Sequence, residues 1–309
     1  MSSSHQSWSI DSREVAVSNS GKVFFPRSGL TKGDLLAYYR DVASLILPHL
    51  DNRVLTMQRF PDGIGEKGFF QKAASSYFPK WINRVRVPTE DGKISQVICR
   101  SAATLVYLAN LGAIAFHAPL SMVDLIGKPD MLIFDLDPAK DYTDTVRQTA
   151  LALRDLLGDL SLPTFVKTTG SRGFHVVVPL QRRQDFGTVK QFADGVAHML
   201  AARQPDLLTT ELRKAKRRGR IFIDTLRNNY AQTAVAPYSV RALPGAPVAC
   251  PLHWHELDTA GVHPQMVTIE TIAARLAQTG DPWERMRDHA VSLGAARRRL
   301  AEMPAPNGS

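Results

Sequence analysis

The stretch Met131-Leu132-Ile133-Phe134-Asp135-Leu136-Asp137-Pro138 constrains the fold more than any other part of this chain. Four apolar residues read as a strand and run into two carboxylates one residue apart. Pro138 then ends the ladder. In an extended strand, residues i and i+2 point to the same side, so Asp135 and Asp137 project together at a strand end. Two convergent carboxylates repel unless a cation lies between them, and hard divalent ions such as Mg²⁺ or Mn²⁺ take oxygen ligands. An isolated Asp-x-Asp pair is equally compatible with solvated loop carboxylates or a helix cap, so the rest of the chain has to decide.

Two further segments carry related chemistry. Lys167-Thr168-Thr169-Gly170-Ser171-Arg172-Gly173-Phe174-His175-Val176 reads as a strand, a glycine-containing turn and a second strand. Glycines let backbone N–H groups approach an anion closely, and Thr169, Ser171, Arg172 and His175 add donors. This suits a triphosphate, although no Gly-Lys-Ser/Thr opens a helix as in a Walker A loop. An ordinary hairpin turn with a satisfied histidine fits the segment equally well. The second segment, Ile221-Phe222-Ile223-Asp224 followed by Thr225-Leu226-Arg227-Asn228-Asn229, is again an apolar strand ending in a carboxylate, with an arginine three residues on. A plain strand-terminal turn is its bland reading. Taken together, paired carboxylates, an anion-binding turn and a third carboxylate with an arginine describe nucleotidyl transfer by two metals.

The chain has 309 residues, 44% of them hydrophobic, enough for one large domain or two lobes. No apolar window approaches the length of a membrane span, and the first residues lack a basic start followed by an apolar stretch. Two distant cysteines, Cys99 and Cys250, form no disulfide framework and fit a reducing cytoplasm. The net charge of +9 favours polyanionic partners. The densest run, Arg213, Lys214, Lys216, Arg217, Arg218 and Arg220, is compatible with a solvated turn or with phosphate-backbone contacts whose strength falls with salt. Helices are expected over Leu35–Leu47, entered after Thr31 and ended by Pro48, and over 102–111, 143–157, 186–202 and much of the chain after Ile269. Strands are expected over 54–60, 68–72, 113–117, 131–137, 164–168, 174–180 and 221–224. Interleaving without strict alternation predicts a mixed α+β architecture. Residues 1–10 and 303–309 read as flexible tails.

These three segments resemble motifs I, II and III of the archaeo-eukaryotic primase superfamily. The resemblance is to the polymerase domain of bacterial ligase D, which serves non-homologous end joining, and it covers nearly the whole chain. Supporting segments are Lys22-Val23-Phe24-Phe25-Pro26, Gly29-Leu30-Thr31-Lys32-Gly33-Asp34, Gly68-Phe69-Phe70-Gln71-Lys72 and the stretch from Gln232 to Arg241. The resemblance implies one primase-polymerase domain over 1–309: an N-terminal sub-lobe at about 12–115, and a catalytic core at about 116–300 whose central mixed or antiparallel sheet is flanked by helices. It implies that Asp135, Asp137 and Asp224 hold a pair of Mn²⁺ or Mg²⁺ ions. His117, Thr169, Ser171, Arg172, His175, Arg227 and Arg241 would line the nucleoside triphosphate. Lys22 and Lys32 would grip the 5′-phosphate at a gap, and Phe69 and Phe70 would stack on template bases. Thr169 departs from the serine usual in the family but keeps the hydroxyl.

The implied partners are DNA with gaps or broken ends carrying a 5′-phosphate, ribo- or deoxyribonucleoside triphosphates with a preference for the former, a DNA ligase and a Ku-type end-binding protein, in the cytoplasm at the nucleoid and at no membrane. No Lys-x-Asp-Gly ligase motif is found, so the expectation is a stand-alone polymerase or a module of a longer chain. Gap filling in excision repair or priming is the alternative within the same chemistry. A metal-dependent nuclease and a non-catalytic end-bridging module are the rivals outside it. Cys250, His253, His255 and His263 lack zinc-site spacing and are assigned to structure.

Overall fold

A computed structural model describes residues 5–89, 92–139 and 143–304, and its mixed α+β chain divides into two units. The second unit comprises residues 125–232, 250–266 and 279–309. At its centre is a six-stranded sheet in the spatial order Leu208–Thr209, Ile221–Asp224, Met131–Asp137, Phe174–Pro179, Phe165–Thr168, Pro251–Leu252. The first two strands run parallel and the other neighbours antiparallel.

Residue parity divides the work of this sheet between its two faces. Leu132, Phe134 and Leu136 join Phe174, Val176, Val178, Ile221, Ile223 and Val166 in one buried cluster. Helix Thr143–Asp159 lays Val146, Ala150, Leu153, Leu156 and Leu157 on that face, and helix Phe186–Arg203 adds Val189, Phe192, Ala193, Val196 and Leu200. Both helices follow i, i+3, i+4 spacing, so each presents one apolar stripe to the sheet. Burial of this kind stabilises by about 1.5–3 kcal/mol per large aliphatic or aromatic side chain. The alternate residues, Asp135, Asp137, His175, Lys167, Phe222 and Asp224, lie on the opposite face.

The first unit comprises residues 1–124, 233–249 and 267–278. Its four-stranded sheet has the order Thr233–Val235, Ala113–Pro119, Thr56–Arg59, Phe69–Gln71. It also holds the hairpin pairs His5–Ile10 with Arg13–Ser18, Val23–Phe25 with Leu30–Thr31, and Arg84–Thr89 with Gly92–Val97. The units do not coincide with a single cut near residue 115. Strand Thr233–Val235 returns to pair with Ala113–Pro119, a long-range pairing that local sequence patterns do not announce.

Two elements differ from expectation. Residues 5–10, expected within a flexible tail, form a strand because Asp11 and Ser12 both take positive φ and close a two-residue hairpin turn. Residues 1–4, and the expected tail from 305 onward, lie outside the described residues. The helix expected over 35–47 is two helices, Lys32–Asp41 and Ala43–Leu50. Its entry follows Thr31 as expected, and Thr31 and Asp34 close it with a reciprocal capping box. It continues past Pro48 because Ile46 and Leu50 are buried on either side of the proline.

Candidate active site

Antiparallel pairing sets Asp135 opposite Asp224, with Asp137 two residues along the same strand. Register partners share a face, so the three carboxylates emerge from one side of the sheet at two adjacent strand ends. The same rung continues through His175 to Lys167, because Asp135 pairs with His175 and His175 pairs with Lys167. Four ionisable side chains thus stand in line across four strands.

Electrostatics along this rung are uneven. Burial pushes Asp135 up, but His175, Arg227 and Lys167 outweigh it and hold its carboxyl down at about 2. His175 Nε2 lies 3.5 Å from Asp135 Oδ1, and Arg227 Nε lies 3.5 Å from Oδ2. His175 is itself pushed down to about 4, by burial first and then by the positive Lys167, so it is neutral at physiological pH. Its Nδ1 is buried and has no hydrogen-bond partner among the described residues. Asp224 moves upward, first through burial and also through the negative Asp135 and Asp137.

Arginines hold the third carboxylate. Asp137 Oδ1 accepts from Arg172 at 2.9 Å, and Oδ2 accepts from Arg217 at 3.2 Å. Arg217 is buried, donates to the Glu211 and Leu212 carbonyl oxygens, and lies 3.9 Å over the Phe222 ring. As the side chains stand, no trio of His, Cys, Asp or Glu among the described residues forms a ready metal cage. The donor set nevertheless fits a hard divalent ion. It offers three carboxylates on one face, and burial together with mutual repulsion raises one of them.

The turn after Lys167 is built more tightly than its composition suggests. Thr169 Oγ1 accepts from the Ser171 and Gly173 N–H groups, both at 3.2 Å, and donates to the Gly173 carbonyl at 3.0 Å. The Thr169 hydroxyl therefore faces into the turn, and two N–H groups expected to face an anion are bonded within it. Gly170 takes φ +63°, which favours glycine. Gly173 has a different reason: a Cβ there would meet the Leu136 carbonyl oxygen on the carboxylate strand. Arg172 is left on the rim beside Ser171, whose carbonyl accepts from Gln265 at 2.9 Å.

The remaining candidates belong to the first unit. His117 lies on strand Ala113–Pro119, its ring 5.7 Å from the exposed Phe70. Phe69 and Phe70 are 47% and 60% exposed on a sheet edge, far more than ordinary aromatic residues, and the Arg59 guanidinium sits 5.4 Å over Phe69. Lys22 and Lys32 flank one small hairpin, joined where the Lys32 N–H donates to the Lys22 carbonyl at 2.8 Å. The Lys32 ammonium donates to the Ser18 carbonyl at 2.6 Å, while Lys22 pairs with Asp62. Burial, and then the charge of Lys22, push Lys32 down to about 8. Arg241 follows the Val240–Val248 bridge, and its N–H donates to the Pro247 carbonyl at 2.8 Å.

Lys167 and Arg217 were not singled out by sequence. A lysine inside a short apolar strand is a signal in itself. Arg217 has none, since nothing in the basic run separates it from its exposed neighbours. Cys250 and its histidines form no metal cluster: the thiol donates to the Pro251 carbonyl, and the rings of His253 and His255 stack 5.2 Å apart. No described helix is long and apolar enough to cross a membrane.

Comparison with known proteins adds three findings. A family model described as LigD, primase-polymerase domain, matches residues 31–283. The multifunctional non-homologous end joining DNA repair protein LigD of Mycobacterium tuberculosis is 33% identical over 287 residues, covering 90% of this chain and 38% of that protein. The LigD of Pseudomonas aeruginosa is 33% identical over 289 residues, covering 92% of this chain and 34% of its own length. The chain thus spans well under half of the curated relatives it matches. A solved structure, the polymerase domain from Mycobacterium tuberculosis ligase D in complex with DNA, superposes with a TM-score of 0.83 at 32% identity, covering 89% of this chain and 99% of that one.

Proposed function

Because the chain belongs to the LigD primase-polymerase family, we propose that it is a template-directed nucleotidyltransferase that extends DNA ends and fills gaps at breaks. The observation that carries this reading is the shared rung of Asp135 and Asp224, with Asp137 beside it on the same face.

Asp135, Asp137 and Asp224 would hold divalent ions, Mn²⁺ or Mg²⁺, whose chemistry when bound is to lower the pKa of a 3′-hydroxyl and to neutralise a triphosphate. The protein's own groups position the reactants. Arg172 and Arg227 have their guanidinium groups beside the carboxylates and would pair with phosphate oxygens once a nucleotide enters. Neutral His175 offers a ring N–H without exchanging a proton near pH 7. Ser171 supplies the hydroxyl next to Arg172, and it is the residue assigned to the ribose 2′-OH, the contact behind a ribonucleotide preference. Thr169 shapes the turn that carries both residues. His117 and Arg241 are assigned to the nucleotide, Lys22 and Lys32 to the 5′-phosphate of the downstream strand, and Phe69 and Phe70 to stacking on template bases, a contact tolerant of sequence. A ligase and a Ku-type end-binding protein, in the cytoplasm at the nucleoid, are the partners such a reaction calls for.

The test is primer extension on gapped duplex with and without a 5′-phosphate, comparing ribonucleotides with deoxyribonucleotides and Mn²⁺ with Mg²⁺. Extension that depends on a divalent ion, favours ribonucleotides and improves with the 5′-phosphate is expected. Strand cleavage without extension would replace this reading with a nuclease, and tight gap binding with no extension would leave an end-bridging module. Extension indifferent to the 5′-phosphate would favour excision-repair filling or priming.

A further inference from the structure

Strand Ile221–Asp224 stops at the residue whose carboxylate matters, and the structure shows what ends it there. The ladder pairs Asp137 with Phe222, Leu136 with Ile223 and Asp135 with Asp224. Continuing that register, Ile133 would face Leu226, but the chain has by then turned into the short helix Leu226–Asn228. Ile133 therefore lacks a backbone partner from this strand. The Asn228 side chain takes that place: its Oδ1 accepts from the Ile133 N–H at 2.9 Å, and its Nδ2 donates to the Ile133 carbonyl at 2.7 Å. The carboxamide thus reproduces the donor–acceptor pair that a strand residue would present.

The same Nδ2 also donates to the Thr225 carbonyl at 2.9 Å, closing the turn that follows Asp224. Within that turn the Leu226 N–H donates to Asp224 Oδ1 at 2.7 Å, and Arg227 points its Nε toward Asp135. Asn228 is completely buried, so no water can substitute for its three hydrogen bonds. Of the common side chains, only a carboxamide of this length offers one acceptor and two donors from a single short stem.

We propose that Asn228 is a positioning residue that, by serving as a side-chain rung for Ile133, fixes the separation of Asp224 and Arg227 from the Asp135–Asp137 pair. It touches neither substrate nor ion. It acts by pinning the turn after Asp224 to the strand that carries the other two carboxylates. This rests on the reading of Asp135, Asp137 and Asp224 as the ion-holding set.

The experiment titrates Mn²⁺ alone into the metal-free full chain, following free Mn²⁺ by electron paramagnetic resonance well below the melting temperature. Wild type, Asp224→Asn, Asn228→Ala and Asn228→Asp are compared, and affinity for gapped DNA is measured in parallel. Asp224→Asn is expected to weaken Mn²⁺ binding at least tenfold. Asn228→Ala should weaken it about tenfold, with DNA affinity changed less than twofold. Asn228→Asp keeps the acceptor for the Ile133 N–H but sets lone pairs against two carbonyls, and should weaken Mn²⁺ as well; it serves as the reading if the alanine variant does not fold. A merely structural asparagine would lower the melting temperature and leave Mn²⁺ affinity unchanged in the folded protein, which would overturn the proposal. Should wild type fail to bind Mn²⁺, or Asp224→Asn bind it as wild type does, the carboxylate reading itself falls and this proposal with it.

Discussion

His175 Nε2 stands 3.5 Å from Asp135 Oδ1 in a nearly water-free position, where burial and then Lys167 keep the histidine neutral against the pull of Asp135, and His175, Arg227 and Lys167 keep the aspartate ionised. A buried histidine held at about 4 takes up its proton later than it would in the unfolded chain, where the ordinary value is 6.5. Between those two values the unfolded state binds more protons, so stability rises with pH through that window and is lost on acidification. Replacing His175 by Gln should flatten that slope. Denaturant titrations at pH 7 and pH 4.5 should show wild type losing on the order of 2 kcal/mol more than the variant; equal losses would place the acid sensitivity elsewhere.

Removing one carboxylate should separate chemistry from binding. Asp137→Ala takes away a carboxylate proposed to hold an ion and the partner of Arg172 and Arg217. Extension should fall by on the order of 10³-fold, equivalent to about 4 kcal/mol of lost transition-state stabilisation, while affinity for gapped DNA is retained. Single-turnover extension beside fluorescence-anisotropy binding gives the answer, and retained extension would remove Asp137 from the reacting centre.

Lys32 links a binding preference to pH. With its ammonium held at about 8, the free protein loses this charge as pH rises through that value. Discrimination in favour of a 5′-phosphorylated gap should therefore weaken between about pH 7 and pH 9, and Lys32→Ala should have little discrimination to lose at either pH. In the stability of the free protein the sign is opposite. A lysine held below its ordinary value costs stability while protonated, and that cost is relieved progressively as pH rises from about 8 to 10.5.

Phe69 and Phe70 are large apolar side chains exposed on a sheet edge, with His117 and Arg59 beside them. Phe70→Ala should cost about 1–3 kcal/mol in affinity for a duplex with an unpaired template base. A 2-aminopurine at that base should be quenched by wild type and brighter with the variant. Equal quenching would return Phe70 to the role of an ordinary surface residue.

Phe134 lies completely buried between Ile133 and Asp135, on the helix-covered face. Phe134→Ala should destabilise the protein by about 3–5 kcal/mol in equilibrium unfolding. A loss near 1 kcal/mol would mean that the core beneath the carboxylate strand collapses to fill the space.

Much of the site was legible because its signals are local. The i, i+2 spacing of Asp135 and Asp137 at the end of an apolar run sets both acids on one face, and strand ends announce themselves through Pro138 and the turn residues after Asp224. What escaped was non-local or depended on turn geometry. The Asp11-Ser12 hairpin lacks the glycine that marks such turns, and strand Thr233–Val235 finds its partner more than a hundred residues away. The Thr169 hydroxyl turns inward, where two N–H groups of its own loop donate to it. Arg217 is told from its neighbours by Asp137 and Phe222, partners that its own stretch of sequence does not contain.

The parity of the carboxylate strand has a consequence for folding. Moving its alignment by one residue would carry all its acids beneath the two helices and bring Leu132, Phe134 and Leu136 out to the face where the acids had stood. Burying unpaired carboxylates in hydrocarbon is so unfavourable that no such misaligned form can be appreciably populated. The charged groups that equip the protein for chemistry therefore also act as a spelling check on its central strand, and a molecule that has folded correctly there has its acids in place.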